Sequence, residues 1–181
     1  MNERKPRVEL GPDHRPLGRD ATLVTTFTAY QDAVMRLGTL DPIVTELVRL
    51  RCARQHDCRI CQTLRLADAI HDGADNDLTS KIDHYEDSDL DERYKVALRI
   101  TDAFIWQPSS ITDQLVAQAH MYFSDAELAE ILLDITKWST QKIHVALGTD
   151  GAERLPVDES GVAYLIFADD GSVARIAATV D

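Results

Sequence analysis

The stretch that decides the fold is PIVTELVRLRCARQHDCRIC, residues 42–61, in which an amphipathic segment leads into two cysteines three residues apart. Asp41 and Pro42 suit the cap and the first position of a helix. The apolar positions that follow repeat at helical spacing and form one stripe: Ile43, Leu47, Leu50 and Ala53. The pattern therefore predicts a helix from Pro42 to about Gln55.

A second helix is predicted directly after the first. Asp57 is a suitable cap for a helix that carries both cysteines, and Gly73 is a suitable terminator. The two helices would form a hairpin with Cys58 and Cys61 at its bend.

The remaining chain up to residue 148 also has helical patterns. Apolar spacing predicts a helix over residues 21–38. A serine followed three residues later by an acid, which resembles a capping box, recurs as Ser88 and Asp91, Ser110 and Asp113, and Ser124 and Glu127. We therefore predict an all-α core.

The C-terminal residues have a different pattern. Two β-rich runs flank Asp170 and Gly171, a dipeptide typical of hairpin turns. The predicted organisation is an N-terminal arm over 1–16, a helical domain over 17–148 and a small β-hairpin extension over 149–181. Because a lone hairpin is marginally stable in water, we expect it to pack on the helices or on a neighbouring subunit.

The composition excludes several classes of function. With 19 basic and 31 acidic residues among 181, the formal charge of −12 argues against binding to nucleic acid or anionic membrane surfaces. No apolar run is long enough to span a bilayer, and the first residues do not form a signal peptide, so we expect a cytoplasmic protein. Three cysteines do not form a disulfide framework, which favours a redox or metal-binding role for the CxxC.

The CxxC has three possible uses. A cysteine in the first turn of a helix is favoured as a thiolate, and Cys61 lies one turn after Cys58, close enough for a reversible disulfide. The pair could instead be two small buried residues. A zinc site formed by Cys52, His56, Cys58 and Cys61 is the third possibility, although structural zinc usually has two separated ligand pairs. We interpret Cys52 as a core residue and Trp138 as a core or interface residue, and we expect no metal or cofactor.

The predicted hairpin also brings Glu46 near Arg65. Counted from the bend, the two lie at heights that differ by about one helical turn at ~1.5 Å per residue. Glu46 is a candidate proton acceptor for the thiols, although most helix glutamates are simply exposed.

The segment ELVRLRCARQHDCRIC, with Glu46 twelve residues before Cys58, resembles the carboxymuconolactone decarboxylase superfamily, specifically its alkyl hydroperoxidase D-like (AhpD-like) arm. The resemblance extends over about residues 17–148. It implies an all-helical core, a trimer or hexamer, and a CxxC that reduces peroxides and is reduced again by a partner. It further implies that Cys61 attacks the peroxide, that Cys58 resolves the product, and that Glu46 is the family's glutamate.

One position departs from the family pattern. The resemblance implies a proton-relaying histidine four residues after the second cysteine, and Arg65 stands there. Arginine stays protonated and cannot relay a proton, but it can pair with Glu46 and stabilise a thiolate. His56 could carry the proton instead, or be a solvated loop residue. We expect a weaker or altered peroxidase.

The sequence therefore predicts a homo-oligomeric thiol oxidoreductase that uses hydrogen peroxide or a small organic peroxide and a protein or small-molecule dithiol reductant. Two alternatives remain. One is a non-catalytic oligomeric homologue with a structural Glu46–Arg65 ion pair, and the other is a carboxymuconolactone decarboxylase-like enzyme.

Overall fold

The protein is described by a computed structural model over residues 4–12 and 20–180. The predicted N-terminal arm, 1–16, lies partly outside these residues. In chain order the elements are α1 (Ala21–Met35), α2 (Pro42–Gln55), α3 (Arg59–Thr63), β1 (Leu64–Leu66), α4 (Ala67–His71), α5 (Asn76–Ser80), a 3-10 segment (Lys81–Asp87), α6 (Glu92–Trp106), a 3-10 turn (Pro108–Ser110), α7 (Asp113–Ala119), α8 (Asp125–Ser139), α9 (Lys142–Leu147), β2 (Ala163–Phe167) and β3 (Val173–Ala177).

Helix α2 is the centre of the fold. It begins as predicted, because Asp41 accepts a hydrogen bond from the Ile43 amide at 2.8 Å. It packs against α6 and α8. Its side chains enter two hydrophobic clusters, one containing Val44, Val48, Ile131 and Ile135 and the other Leu47, Leu50, Ile82 and Leu98. Since nearly every face of α2 is buried, its charged residues are held in the interior.

The predicted helix starts are confirmed in one case of three. Ser124 caps α8 in a capping box with Glu127. The predicted caps at Ser88 and Ser110 are wrong, since Asp91 caps α6 and Thr112 caps α7. Each of these two serines instead donates its hydroxyl to a carbonyl three residues earlier and closes a 3-10 turn.

The predicted continuous helix from the CxxC to Gly73 is wrong. It is divided into α3, β1 and α4, because β1 pairs in parallel with β2. Leu66 aligns with Leu165 in this pairing, and both are buried in the main core cluster. A strand far along the chain thus provides backbone partners that local helical patterns do not reveal.

The predicted C-terminal β-hairpin is confirmed. Strands β2 and β3 are antiparallel, and Gly171 in the turn has a φ of 80°, which glycine adopts readily. The hairpin packs on the helices as expected, because Leu165 enters the core and Arg36, at the C-terminal cap of α1, donates to the Asp170 carbonyl at 2.8 Å. Together with β1 it forms a three-stranded sheet in the order β1-β2-β3, with β2 in the centre. The predicted domain boundaries stay a prediction.

Candidate redox site

The two cysteines of the CxxC form a disulfide at the start of α3. The Cα atoms of Cys58 and Cys61 are 5.3 Å apart, and both residues are buried. Cys58 itself is the cap of α3, and its sulfur accepts from the Cys61 amide at 3.4 Å. The predicted cap, Asp57, lies one residue earlier in the left-handed region, with a φ of 52°. The predicted position of the CxxC at a helix start is therefore confirmed, with the cap shifted by one residue.

The third cysteine, Cys52, is free and fully buried in the core cluster, as predicted. Burial raises the pKa of its thiol to about 12, so it stays protonated at neutral pH. Within residues 4–12 and 20–180, no three His, Cys, Asp or Glu side chains are grouped as metal ligands. The zinc alternative built on Cys52, His56, Cys58 and Cys61 is thus not assembled.

Asp150 holds the start of the cysteine helix. Its carboxylate accepts from the Arg59 amide at 3.0 Å and from the Arg59 guanidinium at 3.1 Å, and its carbonyl accepts from the Ile60 amide at 3.1 Å. Burial alone would raise the pKa of Asp150, but these hydrogen bonds and the charges of Arg59 and Arg4 lower it. Asp150 is therefore an ionised anchor for α3.

Glu46 is fully buried beneath this site and is paired with Arg49, one turn further along α2. The Arg49 Nε and Nη2 atoms donate to the two carboxylate oxygens at 2.6 and 2.8 Å. Arg49 also donates to the carbonyls of Cys61, at 2.8 Å, and of Leu64. The Leu66 amide donates to Glu46 at 3.3 Å. The pair thus ties α2 to both α3 and β1.

The predicted Glu46–Arg65 ion pair is wrong. Arg65 lies in β1 and donates through Nη1 to the carbonyls of Gln62 and Leu64, at 2.7 and 2.8 Å. Its Nε is buried and makes no hydrogen bond to the described residues. Burial, and then the charge of Arg49, lower the pKa of Arg65. The prediction assumes that Arg65 lies on a continuous helix after the cysteines. Because β1 interrupts that helix, the height of Arg65 relative to Glu46 is not the predicted one.

His56 lies at the end of α2 and is half-buried. Its Nε2 atom makes no hydrogen bond to the described part of the chain. Burial, and then the charge of Lys142, lower the pKa of His56, so the ring is neutral at pH 7. It is neither the solvated loop residue of one interpretation nor part of the pocket beside Cys61.

A pocket of about 190 Å³ opens beside Cys61. Its lining comes from α1, α2, α3, β1, α8, the start of α9 and the C-terminal hairpin, and consists of Gln31, Asp32, Met35, Arg49, Ile60, Cys61, Leu64, Lys137, Trp138, Gln141, Leu165, Phe167 and Val173. Cys58, Glu46, Arg65 and His56 do not line it. Of the predicted site residues, only Cys61 faces this space.

Sequence reasoning missed three residues of this site. Arg49 could have been found as a basic residue three positions after Glu46 on an otherwise apolar helix. Lys137 and Trp138 have no local pattern that connects them to the cysteines, and the sequence alone assigns Trp138 to the core or to an interface. The two cations Arg49 and Lys137 both lie against the Trp138 ring, with Cζ and Nζ at 5.7 and 3.0 Å from its centroid.

In sequence, the chain is similar to proteins of uncharacterized function. No model of a known protein family matches the sequence. Two uncharacterized proteins of Mycobacterium tuberculosis, Rv2313c and MT2376, are each 38% identical over 142 residues, which is 75% of this chain. The chain spans about half the length of these relatives.

The structural comparison is with ATU0492 of Agrobacterium tumefaciens, a protein of unknown function described as a candidate antioxidant defence protein AhpD. The two structures match with a TM-score of 0.61 and 19% identity, over 71% of this chain and 89% of that one. The fold is therefore an AhpD-like helical core with a CxxC at a helix start and a small C-terminal sheet. No helix in the described ranges combines the length and the hydropathy required to cross a bilayer.

Proposed function

We propose that the chain is a thiol-dependent peroxidase in which Cys61 is the attacking thiol and Cys58 the resolving one. The observation that carries this proposal is the position of Cys61. It is disulfide-bonded to Cys58, and it lines a pocket that Cys58 does not line. A substrate that enters the pocket therefore meets Cys61 first, which agrees with the order that the family resemblance implies.

The reaction consumes two substrates, a hydroperoxide and a dithiol reductant. The Cys61 thiolate attacks one oxygen of a hydroperoxide, the O–O bond breaks, and an alcohol leaves after it takes up a proton. The Cys58 thiol then attacks the Cys61 sulfenic acid, which forms the disulfide and releases water. A dithiol reductant returns both thiols by exchange and is itself oxidised to a disulfide. The substrate would be hydrogen peroxide or a small organic hydroperoxide.

The buried ion pair supports this function by holding the site in place. Arg49 fixes the carbonyl of Cys61, and Glu46 keeps the guanidinium oriented from beneath. We propose that Glu46 acts as this charge partner rather than as the base, because both carboxylate oxygens are occupied by Arg49. The roles predicted for Arg65, as a thiolate stabiliser, and for His56, as a proton carrier, stay predictions.

The partners follow from the same site and are part of the proposal. Both cysteines are buried and Cys61 lines its pocket, which favours a slender reductant such as a small dithiol or a protein that inserts a cysteine loop. A homo-oligomer, trimer or hexamer, and a cytoplasmic location complete the proposal.

The alternatives make different predictions about turnover. The non-catalytic homologue was based on a Glu46–Arg65 pair, and the structure forms Glu46–Arg49 instead. A decarboxylase-like enzyme would release carbon dioxide from a lactone acid and would not require its cysteines. Neither of these two alternatives would consume peroxide.

The test is peroxide consumption by the pre-reduced protein with dithiothreitol as reductant. We expect turnover by the wild type, none by Cys61→Ser, and no Cys58–Cys61 disulfide in Cys58→Ser, in which dithiothreitol must reduce the Cys61 sulfenic acid directly. Cys52→Ala is the matched control, because Cys52 lies in the core and not in the pocket, and it should retain turnover. Consumption by the wild type that is no faster than by Cys61→Ser would overturn the proposal.

A further inference from the structure

Proton transfer in the Cys61 pocket requires a group that faces the thiol. Four of the pocket-lining side chains are ionisable: Asp32, Arg49, Cys61 and Lys137. Arg49 is permanently charged and occupied by Glu46, so it cannot exchange a proton. Asp32 lies at the half-buried rim, whereas Lys137 is only 4% exposed.

Lys137 is held against aromatic rings and not in an ion pair. Its Nζ atom lies 3.0 Å from the centroid of Trp138 and 5.7 Å from that of Phe167. Among the described residues, no hydrogen-bond acceptor or carboxylate is in contact with Nζ. Burial without a directly ion-paired carboxylate disfavours the charged form of an amine, so such a group can lose its proton near neutral pH.

We propose that Lys137, which reaches the pocket from α8, is the proton-transfer residue of Cys61. The inference rests on the proposed peroxidase function and supplies the group that takes the place of a relay histidine. It assigns a catalytic role to a residue that is remote in sequence from the CxxC.

The steps follow from the chemistry of an amine and a thiol that line the same pocket. The neutral amine takes the proton of the Cys61 thiol, and the resulting ammonium stabilises the thiolate. The thiolate attacks the peroxide, and the O–O bond breaks to leave a sulfenic acid and an alkoxide. The ammonium gives its proton to the alkoxide, which leaves as the alcohol, and the amine is neutral again.

The surroundings of Lys137 agree with this cycle. Burial lowers the pKa of Lys137 to about 7; Asp134 opposes this shift, Arg49 adds to it, and Asp32 opposes it. Asp134 lies on α8, Arg49 on α2 and Asp32 on α1. Cys61 of α3 lines the same pocket as Lys137, and the C-terminal hairpin contributes to that lining only the apolar side chains Leu165, Phe167 and Val173. Both protonation states of Lys137 are therefore populated near neutral pH, where a proton-transfer group is most effective.

Two substitutions in the full-length protein separate charge from proton transfer. Lys137→Met removes both, and Lys137→Arg keeps a cation that cannot lose its proton. Two properties are measured: the peroxide kcat and KM with dithiothreitol, and the pH midpoint of Cys61 alkylation in a Cys58→Ser background. The matched control is Lys142→Met, at an exposed lysine of α9, and thermal unfolding shows that each variant is folded.

Lys137→Met should lower kcat by about 100-fold or more, the usual contribution of general acid–base catalysis, and move the alkylation midpoint to higher pH. Lys137→Arg should keep the midpoint of Cys61 alkylation at low pH but should still lower the peroxide kcat. Wild-type values for both properties in Lys137→Met, or wild-type kcat in Lys137→Arg, would overturn the proposal. If the wild type consumes no peroxide, the proposed function fails, and the alkylation midpoint alone still decides whether Lys137 exchanges a proton with Cys61.

Discussion

The Glu46 carboxylate and the Arg49 guanidinium form a two-point ion pair inside helix α2, and the same guanidinium donates to the carbonyl of Cys61. Both side chains are fully buried, so the pair connects the hydrophobic core directly to the redox site. The rigidity of the site and the stability of the fold should therefore depend on the same two residues.

Removal of the negative charge should destabilise the protein strongly. In Glu46→Gln, Arg49 would be left as a buried cation without its carboxylate, and breaking a buried pair in this way costs about 3–5 kcal/mol. The free energy of unfolding, measured with urea, tests this. Glu159→Gln, at an exposed position of the loop before β2, is the matched control and should change the free energy by less than about 0.5 kcal/mol. Equal effects in the two variants would show that the pair contributes nothing.

The anchor at Asp150 should make stability depend on pH. The pKa of Asp150 is lowered in the folded protein, so its charged form stabilises the fold above the ordinary carboxyl pKa of about 4, and this contribution is lost as the pH falls through the lower folded-state pKa. Asp150→Asn should reduce the free energy of unfolding at neutral pH by about 1–3 kcal/mol, with the difference from wild type shrinking in acid. Asp169→Asn, at an exposed hairpin residue, should show no such trend. A difference that is constant with pH would contradict the assignment.

The C-terminal hairpin should be part of the core and not a dispensable appendage. Leu165 on β2 is 6% exposed, whereas its cross-strand partner Ile176 on β3 is 36% exposed. Leu165→Ala should cost about 2–5 kcal/mol of unfolding free energy, as is typical for a buried leucine. Ile176→Ala should cost about 1 kcal/mol or less. Similar losses in thermal or urea unfolding would mean that the hairpin does not enter the core.

The predicted oligomer should use the apolar face of α1. Leu23 is 72% exposed and lines, with Phe27 and Ile143, an open apolar cleft between α1 and α9. If a second copy covers this face, Leu23→Asp should dissociate the oligomer in light scattering. Met121→Asp, at an equally exposed residue elsewhere, should leave it intact. A wild-type monomer at all micromolar concentrations would refute the oligomer itself.

The sequence predicts those parts of the fold that depend on local patterns. Asp41 and Pro42 correctly mark the start of α2, and Asp170 and Gly171 mark the hairpin turn, because caps and turns are determined by neighbouring residues. Strand β1 could not be predicted, since its three residues become extended only through pairing with β2. Because of this non-local pairing, Arg65 does not form the predicted ion pair with Glu46.

The candidate site shows the same division between local and distant information. Cys58 and Cys61 are recognisable from their spacing, and the structure joins them. Lys137 reaches the pocket from a helix far along the chain, and its lowered pKa is a result of burial, which no motif in the sequence reveals. Tertiary packing thus determines which residues surround the thiol.

The most direct measurement is mass spectrometry of the reduced Cys58→Ser variant after one equivalent of hydrogen peroxide. Without its resolving partner, Cys61 should retain the sulfenic acid, so the peptide that contains it should gain the mass of one oxygen and react with a sulfenic-acid trap. In the reciprocal Cys61→Ser variant, Cys58 should stay unmodified, because it does not line the pocket. Oxidation of Cys58 in place of Cys61, or no oxidation of either, would contradict the assignment of Cys61 as the thiol that attacks the peroxide.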